Sequence, residues 1–152
     1  MSYTIADIED GILTTLQASA MNAYCQIFET LGLEILAAKK AIRTPACFVV
    51  FTDGALSDLT GGGQDMDPGR FVVLVMSRNL RGEAAQRRGG PGPTEVGAYE
   101  MLEHVRAALH NSDLGLNLLS CSVRGFSRVE LGEKFAAFAA YGAAVDVAWR
   151  YE

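Results

Sequence analysis

Apolar and polar residues alternate along this chain with two different periods, and the changes of period mark the elements. Near the start, Ile5, Ile8, Ile12, Leu13 and Leu16 recur at helical spacing, with Thr4 placed to cap the helix and Asp7 three positions on as a short capping box. A helix over residues 4–20 is expected, with one face on a sheet. Further on, Phe71-Val72-Val73-Leu74-Val75-Met76 is an unbroken apolar run bounded by Pro68-Gly69 and Ser77-Arg78-Asn79. Such a run suits a strand covered on both faces and therefore central in its sheet.

Between these two elements the pattern is weaker. Tyr24, Ile27, Phe28 and Leu31 fit a helical face, yet Tyr24 to Phe28 fits a short strand equally well. The expectation for 21–43 is a loop or short extended piece, then a turn of helix around Glu34 to Ala41. Thr44-Pro45 sets a chain entry, and Ala46 to Phe51 gives a compact strand ending at Asp53-Gly54. Gly61-Gly62-Gly63 then forms the tip of a connection into the central strand, so these two strands are expected to be antiparallel neighbours.

After the central strand, Thr94 is a good N-cap with Glu95 in the first turn, and Tyr99, Leu102, Val105 and Leu109 make an apolar face for a helix over 94–110. Asn111-Ser112-Asp113 and Gly115 end it. Leu116 to Phe126 reads as another strand, with Leu119, Cys121 and Val123 facing inward. The final segment satisfies both periods. Phe135, Phe138, Val145 and Trp149 fall at helical spacing, whereas Val145, Val147, Trp149 and Tyr151 alternate with Asp146, Ala148 and Arg150 as in a half-buried strand.

Together these elements define an α/β (α+β) chain, 1–152 as a single domain: a mainly antiparallel sheet of about four strands with two helices packed on one face. The other face or an edge of such a layer is left for assembly. With 49% hydrophobic and 20% charged residues the composition is that of a globular protein. The N-terminus carries Asp7, Glu9 and Asp10 where a signal peptide needs positive charge, and no apolar run nears the ~20 residues of a membrane span, so a soluble protein made inside the cell, with no membrane partner, is expected. Cys25, Cys47 and Cys121 are an odd number without C-x-x-C spacing and read as reduced, structural thiols.

Charge changes the picture in one place. The formal net charge is -5, which disfavours general binding to nucleic acid. Yet residues 78–93 hold Arg78, Arg81, Arg87 and Arg88 against the single acid Glu83, among glycines and prolines. A solvated tip is one reading. The other is a contact arm in which arginine makes bidentate pairs with carboxylate or phosphate, from a neighbouring subunit or from DNA.

Candidate catalytic chemistry is thin. No Gly-Lys-Ser/Thr follows Gly61-Gly62-Gly63, so a hairpin tip is preferred to a phosphate cradle. Asp65 and Asp67 lack the further oxygen ligands of a calcium loop. His104 and His110 lie about 120° apart on their helix and read as solvated residues rather than a zinc pair. Ser120, Ser122 and Ser127 stand outside any G-x-S-x-G elbow. No catalytic residue, metal or cofactor is assigned, and a small hydrolase has no positive evidence.

Arg78-Asn79-Leu80-Arg81-Gly82, then Arg87-Arg88-Gly89, then Gly97-Ala98-Tyr99-Glu100-Met101-Leu102-Glu103-His104-Val105-Arg106 resembles the central signature of the Mu-like phage tail terminator (tail completion) family. The opening Ile5-Ala6-Asp7-Ile8-Glu9-Asp10 and the closing segment through Tyr151 resemble it too. The matched positions are Arg81, Gly82, Arg88, Gly89, Gly97 and Tyr99; the glycines are expected to shape the loop and Tyr99 to pack the helix. Region 21–43 and the Gly-Gly-Pro-Gly-Pro tip depart from the family pattern. The resemblance implies a long C-terminal strand, which decides the final segment. It also implies a non-enzymatic virion protein, assembled in the host cytoplasm, that forms a hexameric ring on the head-proximal end of a tail tube. Its partners would be the tail tube protein, the head-tail connector or neck protein, the sheath protein where the tail has one, and DNA passing through the ring by non-specific contact. The rival function, from another class, is a small nucleic-acid-binding module acting through residues 78–93.

Overall fold

The computed structural model describes residues 2–30, 43–78, 87–90, 96–130 and 138–151. Helix α1 spans Ile5–Gln17 and starts where the capping box places it. The Thr4 N–H donates to Asp7 Oδ2 at 2.8 Å, and Thr4 Oγ1 accepts from the Asp7 N–H at 3.2 Å. Ile8, Ile12 and Leu16 are buried as one stripe. A short 3-10 turn, Ala20–Ala23, leads into β1, Ile27–Thr30. The alternative of a short strand is thus the one realised around Phe28; the expected helical turn at 34–41 lies outside the described residues.

Strand β2 runs Ala46–Asp58 and β3 runs Gln64–Ser77, both well past the expected boundaries. Asp53-Gly54 and Pro68-Gly69 punctuate the hairpin without ending it. The ladder slips between Phe51 and Asp53, between Gly54 and Leu56, and, on the other side of β3, between Met66 and Gly69. Proline has no N–H to give a ladder, and an irregularity is where a strand tolerates it. Gly69 is needed for a second reason: a Cβ there would overlap the Trp149 indole.

Helix α2 covers Ala98–Leu109, β4 covers Ser120–Arg128 and β5 covers Ala139–Tyr151. The sheet therefore has five strands rather than about four, in the order β1-β2-β3-β5-β4, with only the β1–β2 pair parallel. As the apolar run predicts, β3 is central. From Ala139 onward the C-terminal segment is a strand, because its residues pair with β3 on one edge while β4 takes the other.

Both helices pack on one face of the sheet, against Val73, Val75, Val145, Val147 and Trp149. The opposite face is not bare. Leu74 and Met76, which alternate with Val73 and Val75, join Ala46, Phe48 and Ala140 in a second buried cluster at one end of the sheet. This is why the run at 71–76 shows no alternation. Two inward expectations fail. Leu119 lies before β4 and is exposed, and Tyr99 is 42% exposed, since the buried stripe of α2 is Ala98, Met101, Leu102, Val105 and Leu109.

The start of α2 also differs. Its N-cap is Gly97, extended and without a side-chain cap, three residues after Thr94, which lies outside the described residues. Two contacts hold the entry. Ser77 Oγ donates to the Val96 carbonyl at 3.0 Å in the buried interior, and the backbone of Arg87, Arg88 and Gly89 presses so closely on Gly97 that a Cβ would overlap it. Neither histidine is simply solvated. His104 Nδ1 is hydrogen-bonded to the Tyr24 hydroxyl at 2.7 Å, and His110 Nδ1 accepts from the Val123 N–H at 3.1 Å, so they tie α2 to the 3-10 turn and to β4.

The chain closes on itself through Trp149. Its Nε1 donates to the Tyr3 carbonyl at 2.9 Å, the Tyr3 N–H donates to the Arg150 carbonyl at 2.9 Å, and its ring packs on Phe71 with centroids 6.0 Å apart. Trp149→Ala should cost about 3–5 kcal/mol, measured by urea unfolding, because it opens a cavity beside three elements and strips the Tyr3 carbonyl of a donor. Gly97→Ala should cost about 1–3 kcal/mol by overpacking, and hydrogen exchange should quicken at residues 87–90 while β3 stays protected.

Cys25, Cys47 and Cys121 are free thiols. Burial pushes Cys25 and Cys121 from 9.0 up to about 11. The folded protein thus keeps protons that the unfolded chain releases, so this contribution to stability is intact below pH 9 and is lost as pH rises toward 11. Melting temperature should fall across that window and fall less in a Cys25→Ala/Cys121→Ala variant; an identical alkaline decline in both would assign it elsewhere.

Candidate assembly interface

The loop arginines that the structure describes, Arg78, Arg87 and Arg88, lie at two places. Arg78 follows β3 directly, and its guanidinium lies 5.5 Å from the centroid of the Phe138 ring, on the side of β3 where β5 begins. Arg81 lies outside the described residues. Arg87 and Arg88 form a helical turn seated on Gly97 at the start of α2. Gly89 has a positive φ of 95°, a conformation suited to glycine at the end of that turn.

What the Arg87-Arg88 turn meets is a pair of tyrosines. Tyr99 of α2 and Tyr141 of β5 stand edge to face with centroids 5.4 Å apart. Hydrogen bonding between the two hydroxyls, with Arg87 and Arg88 nearby, lowers the Tyr99 phenol below its ordinary value while raising that of Tyr141. These rings form the wall of an open groove of about 390 Å³, completed by Leu102 and Glu103 of α2 and by Phe126, Ser127 and Arg128 of β4. Phe126 is 47% exposed, an aromatic ring left on the surface.

The edge of β4 beside the groove is divided in two. Its first half is covered: the Asn111 N–H donates to the Cys121 carbonyl at 2.9 Å, and the Val123 N–H is taken by His110. Past the irregularity between Val123 and Gly125, the Val129 N–H donates to the Ala140 carbonyl at 3.0 Å. By alternation Gly125 and Ser127 face β5, while Phe126 and Arg128 turn their backbone groups to the outer edge. Among the described residues no strand pairs with that edge. Arg124 and Arg128 flank Phe126 in sequence and, among the described residues, make long surface pairs to Asp146 and Glu130, each at 3.5 Å.

At the opposite corner the β2–β3 hairpin forms an arm. Strand β1 pairs with Ala46–Val49 only, so among the described residues the outer edge of 50–58 is open as well. This stretch carries Asp53 and Asp58, has no basic residue, and exposes Leu56 at 48%. Its tip turns through Gly61, Gly62 and Gly63, all at positive φ.

Of the residues here, the sequence singled out Arg87 and Arg88 by charge and the resemblance singled out Gly97 and Tyr99, the latter for helix packing; neither pointed to Phe126, Arg128 or Tyr141. Their signal is visible only in register: Arg128 stands opposite Tyr141 and Phe126 opposite Ala143, so the two β4 side chains share the helix-bearing face with Tyr141. Among the described residues no group of His, Cys, Asp and Glu gathers as metal ligands, and no helix is long and apolar enough to cross a membrane.

The fold matches a chain in a solved structure described as the virion of a native gene transfer agent particle, with a TM-score of 0.51 and 18% identity, covering 98% of this chain and 99% of that one. No curated protein matches the sequence. The model of the family described as Bacteriophage Mu, Gp37 matches residues 4–151, and over that span, which holds the arginine turn, the tyrosine pair and both open strand edges, the chain belongs to the Bacteriophage Mu Gp37 family.

Proposed function

We propose that this protein is a non-enzymatic structural component of a phage or phage-like particle, located in the virion. Specifically, it is a tail terminator: a ring, hexameric in its assembled form, on the head-proximal end of the tail tube. The observation that carries this reading is membership of the Bacteriophage Mu Gp37 family over residues 4–151, and the fold shared with a chain of a gene transfer agent virion supports it. The ring stops growth of the tube and presents a surface to the head connector. Its partners are copies of itself, the tail tube protein and the connector or neck protein, with the sheath protein in contractile tails.

Such a part needs a rigid domain with unlike patches, because head-to-tail contacts close into a ring only when the rotation per subunit divides the circle. A sheet held centrally at β3 and buttressed by two helices supplies the rigidity. The arginine segment 78–93 then contacts a neighbouring subunit or the DNA that passes through the ring, since guanidinium groups pair with carboxylate and phosphate alike.

Changing Arg81 and Arg88 together to Glu should leave the circular dichroism spectrum and melting temperature unchanged, as exposed loop substitutions shift stability by about 0.5 kcal/mol. Tubes assembled with the variant should overgrow their regulated length under negative stain. Capped tubes and normal particle yield with the variant would remove the segment from assembly. DNA binding by the isolated monomer that weakens steeply with salt would favour the nucleic-acid module instead.

A further inference from the structure

The two open strand edges lie at diagonal corners of the sheet and are chemically complementary. Arg128 pairs with Tyr141, Tyr141 with Val75, and Val75 with Cys47, which fixes the groove at the end of the sheet where β2 begins. Asp58 pairs with Gln64 and Gln64 with Tyr151, which fixes the arm at the far end. From Tyr141 to Tyr151 the sheet extends ten residues of β5, roughly 33 Å at about 3.3 Å per residue. A contact between such distant patches cannot be made within one chain, nor can one pair of copies satisfy it with a single shared surface.

We infer that the β2 edge of the arm in one copy docks along the Phe126–Arg128 edge of β4 in the next copy, inserting Leu56 into the groove beside Phe126 and Tyr99. This rests on the ring reading above and names the surfaces that make the ring. Three observations support it independently of that reading. Both edges present backbone groups that no described strand pairs with, so each can extend the other's sheet by β-augmentation. The side chains match in spacing: Leu56 and Asp58 are two apart and share one face of the arm, as Phe126 and Arg128 are two apart and share one face of β4. The charges are opposite where the edges would meet: Asp58 ends the arm edge, Asp53 being paired with Arg70, whereas Arg87, Arg88 and Arg128 stand at a groove whose lining holds one acid, Glu103. Asp58 accepts from Gln64 Nε2 at 2.9 Å on its exposed arm, and among the described residues the ion pair of Arg128 is with the more exposed Glu130, so both remain accessible for exchange.

Because the docking joins unlike patches, it is heterologous and propagates from copy to copy until the ring closes. That gives a test by mixing. Leu56→Asp spoils the arm but leaves the groove, and Phe126→Asp spoils the groove but leaves the arm. By sedimentation velocity, at a concentration where the unmodified chain forms rings, each variant alone should be monomeric. An equimolar mixture should form a one-to-one dimer and stop there, since the dimer has no intact arm and groove left to continue. Circular dichroism and thermal melts establish that both variants are folded, as expected for half-exposed positions. A second pair avoids the apolar positions: Asp58→Arg and Arg128→Glu should each weaken assembly by tenfold or more, and the chain carrying both should recover it.

Rings formed by either single apolar variant would overturn the arm-to-groove contact while leaving the ring reading standing. A mixture that remains monomeric, with no recovery in the double charge reversal, would overturn it likewise. An unmodified chain that stays monomeric up to about 1 mM, and on tube ends as well, would overturn both.

Discussion

Everything in this molecule depends on one strand being enclosed on four sides. Strand β3 is paired along both edges, by β2 and β5, and covered on both faces, by the helix layer over Val73 and Val75 and by the smaller cluster around Leu74 and Met76. A strand in that position must satisfy every backbone group in its ladders, which is why the proline it contains falls at a slip in register. It also forces the partners to be long, since β2 and β5 each run thirteen residues to keep pace with its fourteen. The sheet's reach, and with it the distance between arm and groove, follows from that requirement.

The same enclosure explains what was legible in the sequence. The α1 helix was readable because its cap and its stripe are local, with contacts three and four residues apart, and depend on nothing distant. The central strand was readable because burial on both faces removes alternation, a signal carried by six consecutive residues. The resemblance to Mu-like terminators correctly implied a long C-terminal strand where periodicity alone allowed a helix, since alanine-rich residues 139–148 take their conformation from pairing with β3 and β4, which no local pattern records.

The failures are tertiary. Tyr99 sits at a helical spacing that suits burial, but the stripe is rotated toward Ala98 and Met101 and leaves Tyr99 to meet Tyr141, a partner 42 residues along. His104 and His110 read as solvated until Tyr24 and Val123 are brought to them. Asp53-Gly54 and Pro68-Gly69 read as strand ends because turn chemistry and bulge chemistry use the same residues; only the facing strand distinguishes them. The groove was invisible for a related reason, since it exists only where β4 escapes the cover of the α2 C-terminus.

The clamp at the entry to α2 has a consequence for how this protein changes over generations. Ser77 and Val96 meet in the interior and Gly97 locks the Arg87-Arg88-Gly89 turn, so the base of the arginine segment is closed by contacts that do not involve its middle. With the ends fixed, doubling the number of residues between them costs only about 0.6 kcal/mol of closure entropy. Ser77, Gly89 and Gly97 are therefore not free to vary, whatever length of chain joins Arg78 to Arg87. A change of length there is a change in chain entropy of that order, whereas a side chain at Gly97 would meet backbone that has nowhere to go.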